Sequence, residues 1–85
     1  MFEVYSKPNC SFCTKAKQLL TNKGEEFKVI DIAEGSIEDQ TLARELLINR
    51  VIETTGELPK TMPQIFYGDQ YVGGYTELAK MLEND

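Results

Sequence analysis

The chain has 85 residues with 9 Lys plus Arg and 14 Asp plus Glu, so its formal net charge is −5, and it contains two cysteines and no histidine. The lack of histidine excludes every catalytic triad and metal site that needs an imidazole. Two cysteines cannot complete a four-ligand zinc site within one chain unless carboxylates or a second chain join in, and they are too few for a secreted disulfide scaffold. The acidic balance argues against nucleic acid as a partner, and no apolar run approaches the roughly 20 residues of a membrane span. Nor does the start of the chain have the order of a signal peptide. We therefore expect one cytoplasmic domain over residues 1–85, without a membrane partner, whose chemistry depends on sulfur.

Charge is distributed unevenly along the chain. The first 24 residues carry four lysines and one glutamate, whereas residues 25–85 carry a net charge of −8. Both cysteines lie in the positive part. We expect Lys7 and Lys15, which are close to them in sequence, to favour a thiolate or an anionic ligand. The alternative is that these lysines only solvate a helix face.

The first third of the chain predicts a strand, a helix and a second strand. Residues 2–5 and residues 27–32 alternate apolar and polar side chains, as strands do. From Ser11 the apolar residues follow the helical period instead, and Lys23 and Gly24 supply a stop signal. This apolar stripe consists of Phe12, Ala16, Leu19 and Leu20. Two strands joined by such a helix form a right-handed βαβ unit with parallel strands.

A second helix follows, and its first residues resemble a capping box that starts at Ser36. Its buried side is predicted to consist of Leu42, Ala43, Leu46, Leu47 and Val51. A loop over residues 54–60 contains glycine and proline, which end helices.

The last third of the chain predicts a hairpin and a third helix. Residues 64–67 and 70–72 are the strands of the hairpin, with an open turn between them. Thr76 is predicted to cap the last helix, and residues 83–85 form a polar tail. The element order is therefore β-α-β-α-β-β-α.

The pair Cys10-Ser11-Phe12-Cys13 is the feature that can carry a reaction. It lies where the first strand passes into the first helix, so Cys10 is expected at the helix N-terminus, where unpaired amides and the helix dipole favour an anion. These effects, with Lys7 nearby, can lower a thiol pKa from about 8.5 toward about 7. Cys13 is one turn inside the helix and more shielded. We therefore predict that Cys10 is the attacking sulfur and Cys13 the resolving one.

Two other interpretations of the cysteine pair remain open. The cysteines could be small core residues, or half of a metal site shared between two chains. A disulfide that closes only four residues stabilises a fold less than one that closes a longer loop, so a purely structural cross-link is disfavoured.

With these motifs the sequence resembles the glutaredoxin family, and the resemblance covers nearly the whole chain. Its marks are the cysteine pair, the segment Thr61-Met62-Pro63-Gln64-Ile65-Phe66, and Gly73-Gly74-Tyr75-Thr76-Glu77-Leu78. The resemblance implies a thioredoxin-like fold with a four-stranded mixed sheet. It also implies a monomeric oxidoreductase that reduces protein disulfides and glutathione mixed disulfides, with glutathione as cosubstrate and no metal. Ribonucleotide reductase is implied as one protein substrate.

The same resemblance implies a glutathione groove. A cis peptide bond before Pro63 turns the backbone of Met62, next to Thr61, toward the cysteine part of glutathione, which pairs with it like an added strand. The alternative is a trans proline that only starts an edge strand. Gly73 and Gly74 allow the ligand to approach closely, and the amide and hydroxyl of Thr76 hold the γ-glutamyl carboxylate, unless Thr76 is only a helix cap.

The remaining implied contacts lie at the ends of that groove. Lys7 contacts the glycyl carboxylate, helped by Arg44 or Arg50, between which the sequence does not choose. Phe12 and Tyr75 flank the groove, although Phe12 also fits the core stripe.

The chain departs from the common family pattern inside the cysteine motif. Many relatives have proline and tyrosine where this chain has Ser11 and Phe12. Within the family, serine at that position has been associated with members that bind an iron–sulfur cluster. A [2Fe–2S] carrier, in which Cys10 of two chains and two glutathiones ligate the cluster, is therefore one alternative function. A thioredoxin reduced by a flavoenzyme is another.

Overall fold

The computed structural model describes residues 1–83, and the element order agrees with the sequence prediction. The strands are β1 (Phe2–Ser6), β2 (Phe27–Asp31), β3 (Gln64–Tyr67) and β4 (Gln70–Gly73). The helices are α1 (Ser11–Asn22), α2 (Ile37–Thr55) and α3 (Tyr75–Glu83). Of the predicted polar tail, Glu83 belongs to α3, and residues 84–85 lie outside the described residues.

The four strands form one mixed sheet in the order β2-β1-β3-β4. β1 is parallel to β2, as the βαβ prediction requires, and antiparallel to β3. Val4 at the centre of β1 is paired with Val29 on one side and Ile65 on the other. This arrangement is the thioredoxin-like fold, and the predicted fold class is confirmed.

The core has two parts because successive side chains of a strand point to opposite faces of the sheet. On one face, α1 and α3 cover a cluster formed by Phe2, Val4, Ala16, Leu20, Ile65, Leu78 and Leu82. On the other face, α2 covers Tyr5, Leu47, Val51 and Phe66. The carboxyl end of β1 thus runs between two packed layers straight into the loop that carries the first cysteine.

Helix α2 has the predicted start, but its buried face is narrower than predicted. Ser36 and Asp39 form a capping box. The helix ends at Thr55 and is capped by Gly56, in the left-handed region at φ 77°, so the loop begins two residues later than expected. Leu42 is 65% exposed and Leu46 is 49% exposed, so their predicted burial was wrong. The helix is covered by the sheet along one strip only, and these two leucines lie beside that strip.

Arg50 completes the contact of α2 with the sheet. Its guanidinium donates hydrogen bonds to a carboxylate oxygen of Glu3 at 3.0 Å, to the hydroxyl of Tyr5 at 3.0 Å and to the carbonyl of Gly68 at 2.7 Å. It also lies 4.0 Å from the ring centroid of Phe66. Burial lowers the pKa of Arg50, but the hydrogen bonds and charge interactions with Tyr5 and Glu3 together outweigh burial and raise that pKa above its ordinary value.

Candidate active site

Cys10 lies between β1 and α1, and its backbone is extended, which makes it the N-cap of the helix. Its Sγ accepts a hydrogen bond from the backbone N–H of Cys13 at 3.2 Å. An N-cap atom receives the amides that a helix leaves unpaired at its start, and these amides favour a negatively charged sulfur. The predicted position of Cys10 at the helix N-terminus is therefore confirmed.

The two cysteines differ in how accessible they are. They form a disulfide, with their Cα atoms 5.2 Å apart. Cys10 is half-buried, whereas Cys13 is only 1% exposed. An incoming sulfur can therefore reach Cys10 directly, while Cys13 is reached only through its neighbour. This asymmetry favours Cys10 as the sulfur that exchanges with substrates.

The segment before β3 lies against Cys10 although it is 52 residues away in sequence. The carbonyl oxygen of Met62 is 3.7 Å from Sγ of Cys10. Because that sulfur is in a disulfide and has no hydrogen, this is a close contact and not a hydrogen bond. The peptide bond between Met62 and Pro63 is cis, and Pro63 is buried.

One side of Met62 borders a cavity of about 330 Å³, which we call the cationic cavity. It is lined by Lys7, Ile32, Arg44, Leu47, Ile48, Pro59, Lys60, Thr61 and Met62. Nε of Arg44 donates to the carbonyl of Ile32 at 3.0 Å, which holds the guanidinium at the wall. Of the two arginines that the sequence left open, Arg44 lines this cavity, and Arg50 is bound to the sheet.

The other side of Met62 borders a smaller cavity of about 160 Å³, which we call the helix-start cavity. It is lined by Phe12, Thr61, Met62, Pro63, Gly74, Tyr75, Thr76 and Glu77. Phe12 is 52% exposed, so its place in the core stripe was wrong. Its ring centroid lies 6.0 Å from that of Tyr75 and 5.2 Å from Nζ of Lys15, so Phe12 forms part of the cavity rim.

The start of α3 differs from the prediction. The helix begins at Tyr75, so Gly74 takes the capping position and Thr76 lies inside the first turn. Oε1 of Glu77 accepts a hydrogen bond from the N–H of Gly74 at 2.7 Å. This is the reciprocal half of a capping box, and the spacing of three residues from Gly74 to Glu77 is the signal that could have revealed it.

Gly73 is required by this local geometry. Its φ is 118°, and a Cβ placed on it would lie 2.8 Å from Oε1 of Glu77. A side chain at this position would therefore displace the carboxylate that caps α3. A Cβ on Gly74 would meet only ordinary contacts, 3.4 Å from the same oxygen and 3.6 Å from the carbonyl of Pro63.

The wall shared by the two cavities has support that the sequence analysis missed. Nε2 of Gln64 donates to the carbonyl of Thr61 at 2.7 Å, and the hydroxyl of Tyr71 donates to Oε1 of Gln64 at 2.6 Å. Burial, and then the negative charge of Glu77, raise the pKa of Tyr71 above its ordinary value. A glutamine at the start of the otherwise apolar and aromatic strand β3 was the signal for this network.

The structure thus places Lys7, Phe12, Thr61, Met62, Pro63, Gly74, Tyr75 and Thr76 in the lining of one or both cavities, which reach Cys10 through the carbonyl of Met62. Over residues 1–83, no cluster of three or more His, Cys, Asp or Glu side chains is arranged to hold a metal ion. Within the same residues, no helix combines the length and apolar composition needed to cross a bilayer.

Comparisons with known proteins agree with this geometry. The family model described as Glutaredoxin matches residues 2–72. A glutaredoxin of Vernicia fordii is 38% identical over 92% of this chain and 67% of that protein, and glutaredoxin 3 of Escherichia coli K12 is 37% identical over 89% of this chain and 78% of that protein. The solved structure of a buckwheat glutaredoxin–glutathione complex superposes with a TM-score of 0.73 at 23% identity, covering 98% of this chain and 68% of that one. The chain therefore belongs to the glutaredoxin family and is a thiol–disulfide oxidoreductase with a CxxC active site.

Proposed function

We propose that the protein uses glutathione to reduce protein disulfides and glutathione mixed disulfides. The observation that carries this proposal is the position of Met62, whose carbonyl lies 3.7 Å from the accessible sulfur and whose two sides border cavities of different chemistry. A ligand whose own sulfur meets Cys10 and whose chain extends both ways along Met62 would fill both cavities. Glutathione has this form, since its cysteine lies between two residues that each end in a carboxylate.

The side chains of the cationic cavity support an anionic ligand, whereas the charged side chain that lines the helix-start cavity is Glu77, whose carboxylate accepts the hydrogen bond from the N–H of Gly74. Lys7, Arg44 and Lys60 line the cationic cavity, which suits the glycyl carboxylate. The first turn of α3 supplies backbone amides to the helix-start cavity, where Thr76 adds a hydroxyl for the γ-glutamyl carboxylate. Phe12, Thr61, Pro63, Gly74 and Tyr75 complete the proposed set of contacts. The solved complex of the buckwheat relative with glutathione supports the choice of ligand.

Reduction of a protein disulfide would follow two exchanges on the enzyme. The thiolate of Cys10 attacks one sulfur of the substrate, which breaks the substrate disulfide, forms a mixed disulfide and releases one substrate thiolate. Cys13, as a thiolate, then attacks the sulfur of Cys10, which releases the second substrate thiolate and leaves the Cys10–Cys13 disulfide. Both released thiolates take up protons from solvent.

Two molecules of glutathione would restore the enzyme. The first glutathione thiolate attacks Cys10, forms a mixed disulfide in the groove and releases the thiolate of Cys13. The second attacks the glutathione sulfur of that mixed disulfide and yields glutathione disulfide and the thiolate of Cys10. Two electrons pass from two glutathiones to the substrate. The two protons that the glutathione thiols lose on ionising balance the two that the released substrate thiolates take up, and Cys13 regains its own proton when the first glutathione displaces it.

Family membership also supports ribonucleotide reductase as one protein substrate, a monomeric state and a cytoplasmic location, which we include in the proposal. Reduction of oxidised ribonucleotide reductase by this protein with glutathione checks the first of these. Sedimentation of the reduced protein checks the second.

The proposed function is tested with a small glutathione mixed disulfide, glutathione, glutathione reductase and NADPH. We expect NADPH oxidation that depends on the protein and on glutathione. Turnover only with a flavoenzyme that reduces thioredoxins would contradict the proposal and favour a thioredoxin. Visible absorption of the protein purified anaerobically with glutathione, together with no turnover, would favour the [2Fe–2S] carrier instead.

A further inference from the structure

Gln64 is a polar side chain in a place where the sheet is otherwise apolar. It is 3% exposed at the start of β3, next to the core residues Ile65 and Phe66. A buried amide is tolerated only when its donors and acceptors are paired. Thiol–disulfide exchange itself makes no use of this amide, so its partners indicate its role.

The hydrogen bonds of Gln64 fix which way its amide points. The carbonyl of Thr61 can only accept, so the group that faces it at 2.7 Å must be the NH₂ of Gln64. Oε1 then faces the hydroxyl of Tyr71 at 2.6 Å, and that hydroxyl must donate. The ring of Tyr71 is itself held edge-on against Phe66, with 5.3 Å between the ring centroids.

This chain of hydrogen bonds ends on the backbone that faces the active sulfur. Thr61 and Met62 border both cavities, and the carbonyl of Met62 is the group that lies 3.7 Å from Sγ of Cys10. Among the described residues, the hydrogen bonds that hold the carbonyl and hydroxyl of Thr61 come from Gln64. The orientation of the Thr61–Met62 backbone therefore depends on Gln64, and through it on Tyr71.

We propose that Gln64 is a positioning residue, locked by the hydroxyl of Tyr71, that sets the Thr61–Met62 backbone to pair with the peptide groups of the substrate. The inference rests on the proposed function, because glutathione provides those peptide groups. Its consequence is selectivity: the network favours disulfides that carry a peptide chain next to the sulfur over disulfides that carry none. The reactivity of the sulfur of Cys10 does not depend on it.

The test compares two disulfides with the same reduced protein. One is the mixed disulfide of glutathione with a cysteine peptide, and the other is bis(2-hydroxyethyl) disulfide, which has no peptide group. For Tyr71→Phe we expect the second-order rate constant of exchange with the glutathione disulfide to fall about 3- to 10-fold, the effect of losing one or two hydrogen bonds. With the hydroxyethyl compound the rate constant should stay within about two-fold of the wild-type value. The rate of alkylation of Cys10 between about pH 5 and 9 should also stay within about two-fold of wild type.

A double-mutant cycle separates a positioning role from general loosening of the fold. Gln64→Leu should reproduce the loss of selectivity, and Tyr71→Phe added to it should have no further effect, because Tyr71 acts through Gln64. Tyr67→Phe is the matched control, since Tyr67 is an exposed tyrosine of the same hairpin that packs on Phe2 away from both cavities. It should leave both rate constants unchanged.

The outcomes distinguish this inference from the proposed function. The positioning role would be overturned if the rate constants for both disulfides fell equally, or if Tyr71→Phe lowered neither. The proposed function would still stand in that case, provided that the wild-type protein reacts faster with the glutathione disulfide. If the wild-type protein itself reacts no faster with the glutathione disulfide than with the hydroxyethyl compound, the proposed function fails instead. Should Gln64→Leu not fold, Tyr71→Phe alone decides, because phenylalanine keeps the ring in place.

Discussion

The two cavities beside Met62 differ in the kind of group that would bind an anion. The cationic cavity presents the side chains of Lys7, Arg44 and Lys60, which are long and largely exposed. The helix-start cavity presents backbone amides at the beginning of α3, whose positions are fixed by the fold. Side-chain cations act over a longer range and are weakened by salt, whereas backbone amides act only on a group that is already in place. Under the proposed function, the first cavity would attract the ligand and the second would fix its orientation.

The largest expected effect comes from removing the sulfur of Cys10, which contacts the carbonyl of Met62 between the two cavities. Cys10→Ser should lose all turnover, with glutathione mixed disulfides as well as with protein disulfides, because a serine hydroxyl is not ionised near neutral pH and forms no disulfide. The coupled assay with glutathione reductase measures this, and circular dichroism confirms that the variant is folded. Residual exchange above the uncatalysed rate would show that Cys13 can attack on its own.

Cys13→Ser should separate the two reactions. In the proposed mechanism, exchange on glutathione mixed disulfides uses only Cys10 and the groove, so it should keep at least about half of the wild-type rate. Reduction of a protein disulfide by the dithiol route should be lost, because no second thiolate releases the substrate. Loss of both reactions with Cys10 intact would reverse the two roles.

Arg44 and Arg50 offer a matched pair on one helix. Arg44→Ala should lower the rate constant for glutathione disulfides about 5-fold and reduce its dependence on salt, since it removes an exposed cation from the cationic cavity. Arg50→Ala should lower the free energy of unfolding by about 2–3 kcal/mol, because it leaves Glu3 and the carbonyl of Gly68 without their donor. Its rate constant per folded molecule should not change.

A clear contradiction would come from the reverse result. If Arg50→Ala altered the salt dependence of catalysis and Arg44→Ala altered only stability, the assignment of the cationic cavity would be wrong. Urea unfolding and stopped-flow exchange at two salt concentrations provide both quantities for each variant.

Gly73→Ala tests the fixed geometry of the helix-start cavity. The substitution strains a residue with φ of 118° and pushes on the Glu77 carboxylate that caps α3, so we expect a loss of about 2–4 kcal/mol in unfolding free energy. Gly24→Ala is the control, since Gly24 also has a positive φ, of 70°, but nothing lies within 4 Å of the added methyl group. It should cost about 1–2 kcal/mol. Equal losses at the two positions would show that the contact with Glu77 is unimportant.

The smallest expected effect is the pH dependence of the stability that Tyr71 contributes, through Gln64, to the wall shared by the two cavities. Because the pKa of Tyr71 is raised in the folded protein, its protonated form is favoured there, and this contribution to stability is complete below the unfolded pKa of about 10. It is lost as the pH rises through the folded pKa. The difference in unfolding free energy between the wild type and Tyr71→Phe should therefore shrink above pH 10. A difference that stays constant from pH 8 to 11 would contradict the raised pKa.

Much of the fold could be predicted because its elements differ in local period. The change from alternation to a helical stripe near Ser11 located both β1 and α1, and with them the place of Cys10. The faces of α2 were predicted less well. Leu42 and Leu46 continue the apolar period of the sequence, yet the sheet covers only one strip of the helix, and the sequence does not show where that strip ends.

The site was predictable only where its residues lie close together in sequence or in a family motif. Arg50 could not be separated from Arg44, because its partners Glu3 and Tyr5 are 47 and 45 residues away and meet it only across the sheet. The hydrogen bond from Tyr71 to Gln64 was missed for a similar reason, since it depends on the pairing of β3 and β4.

Under the proposed function, the sharing of Thr61 and Met62 by both cavities would set a length requirement on the ligand. Such a ligand must reach the lysines of the cationic cavity with one end and the start of α3 with the other. It must therefore lie across Thr61 and Met62 with its sulfur in the middle. A tripeptide disulfide shortened by one methylene in the γ-glutamyl arm is therefore expected to exchange more slowly than glutathione disulfide. The groove would then select its ligand by the distance from the thiol to each of the two flanking carboxylates.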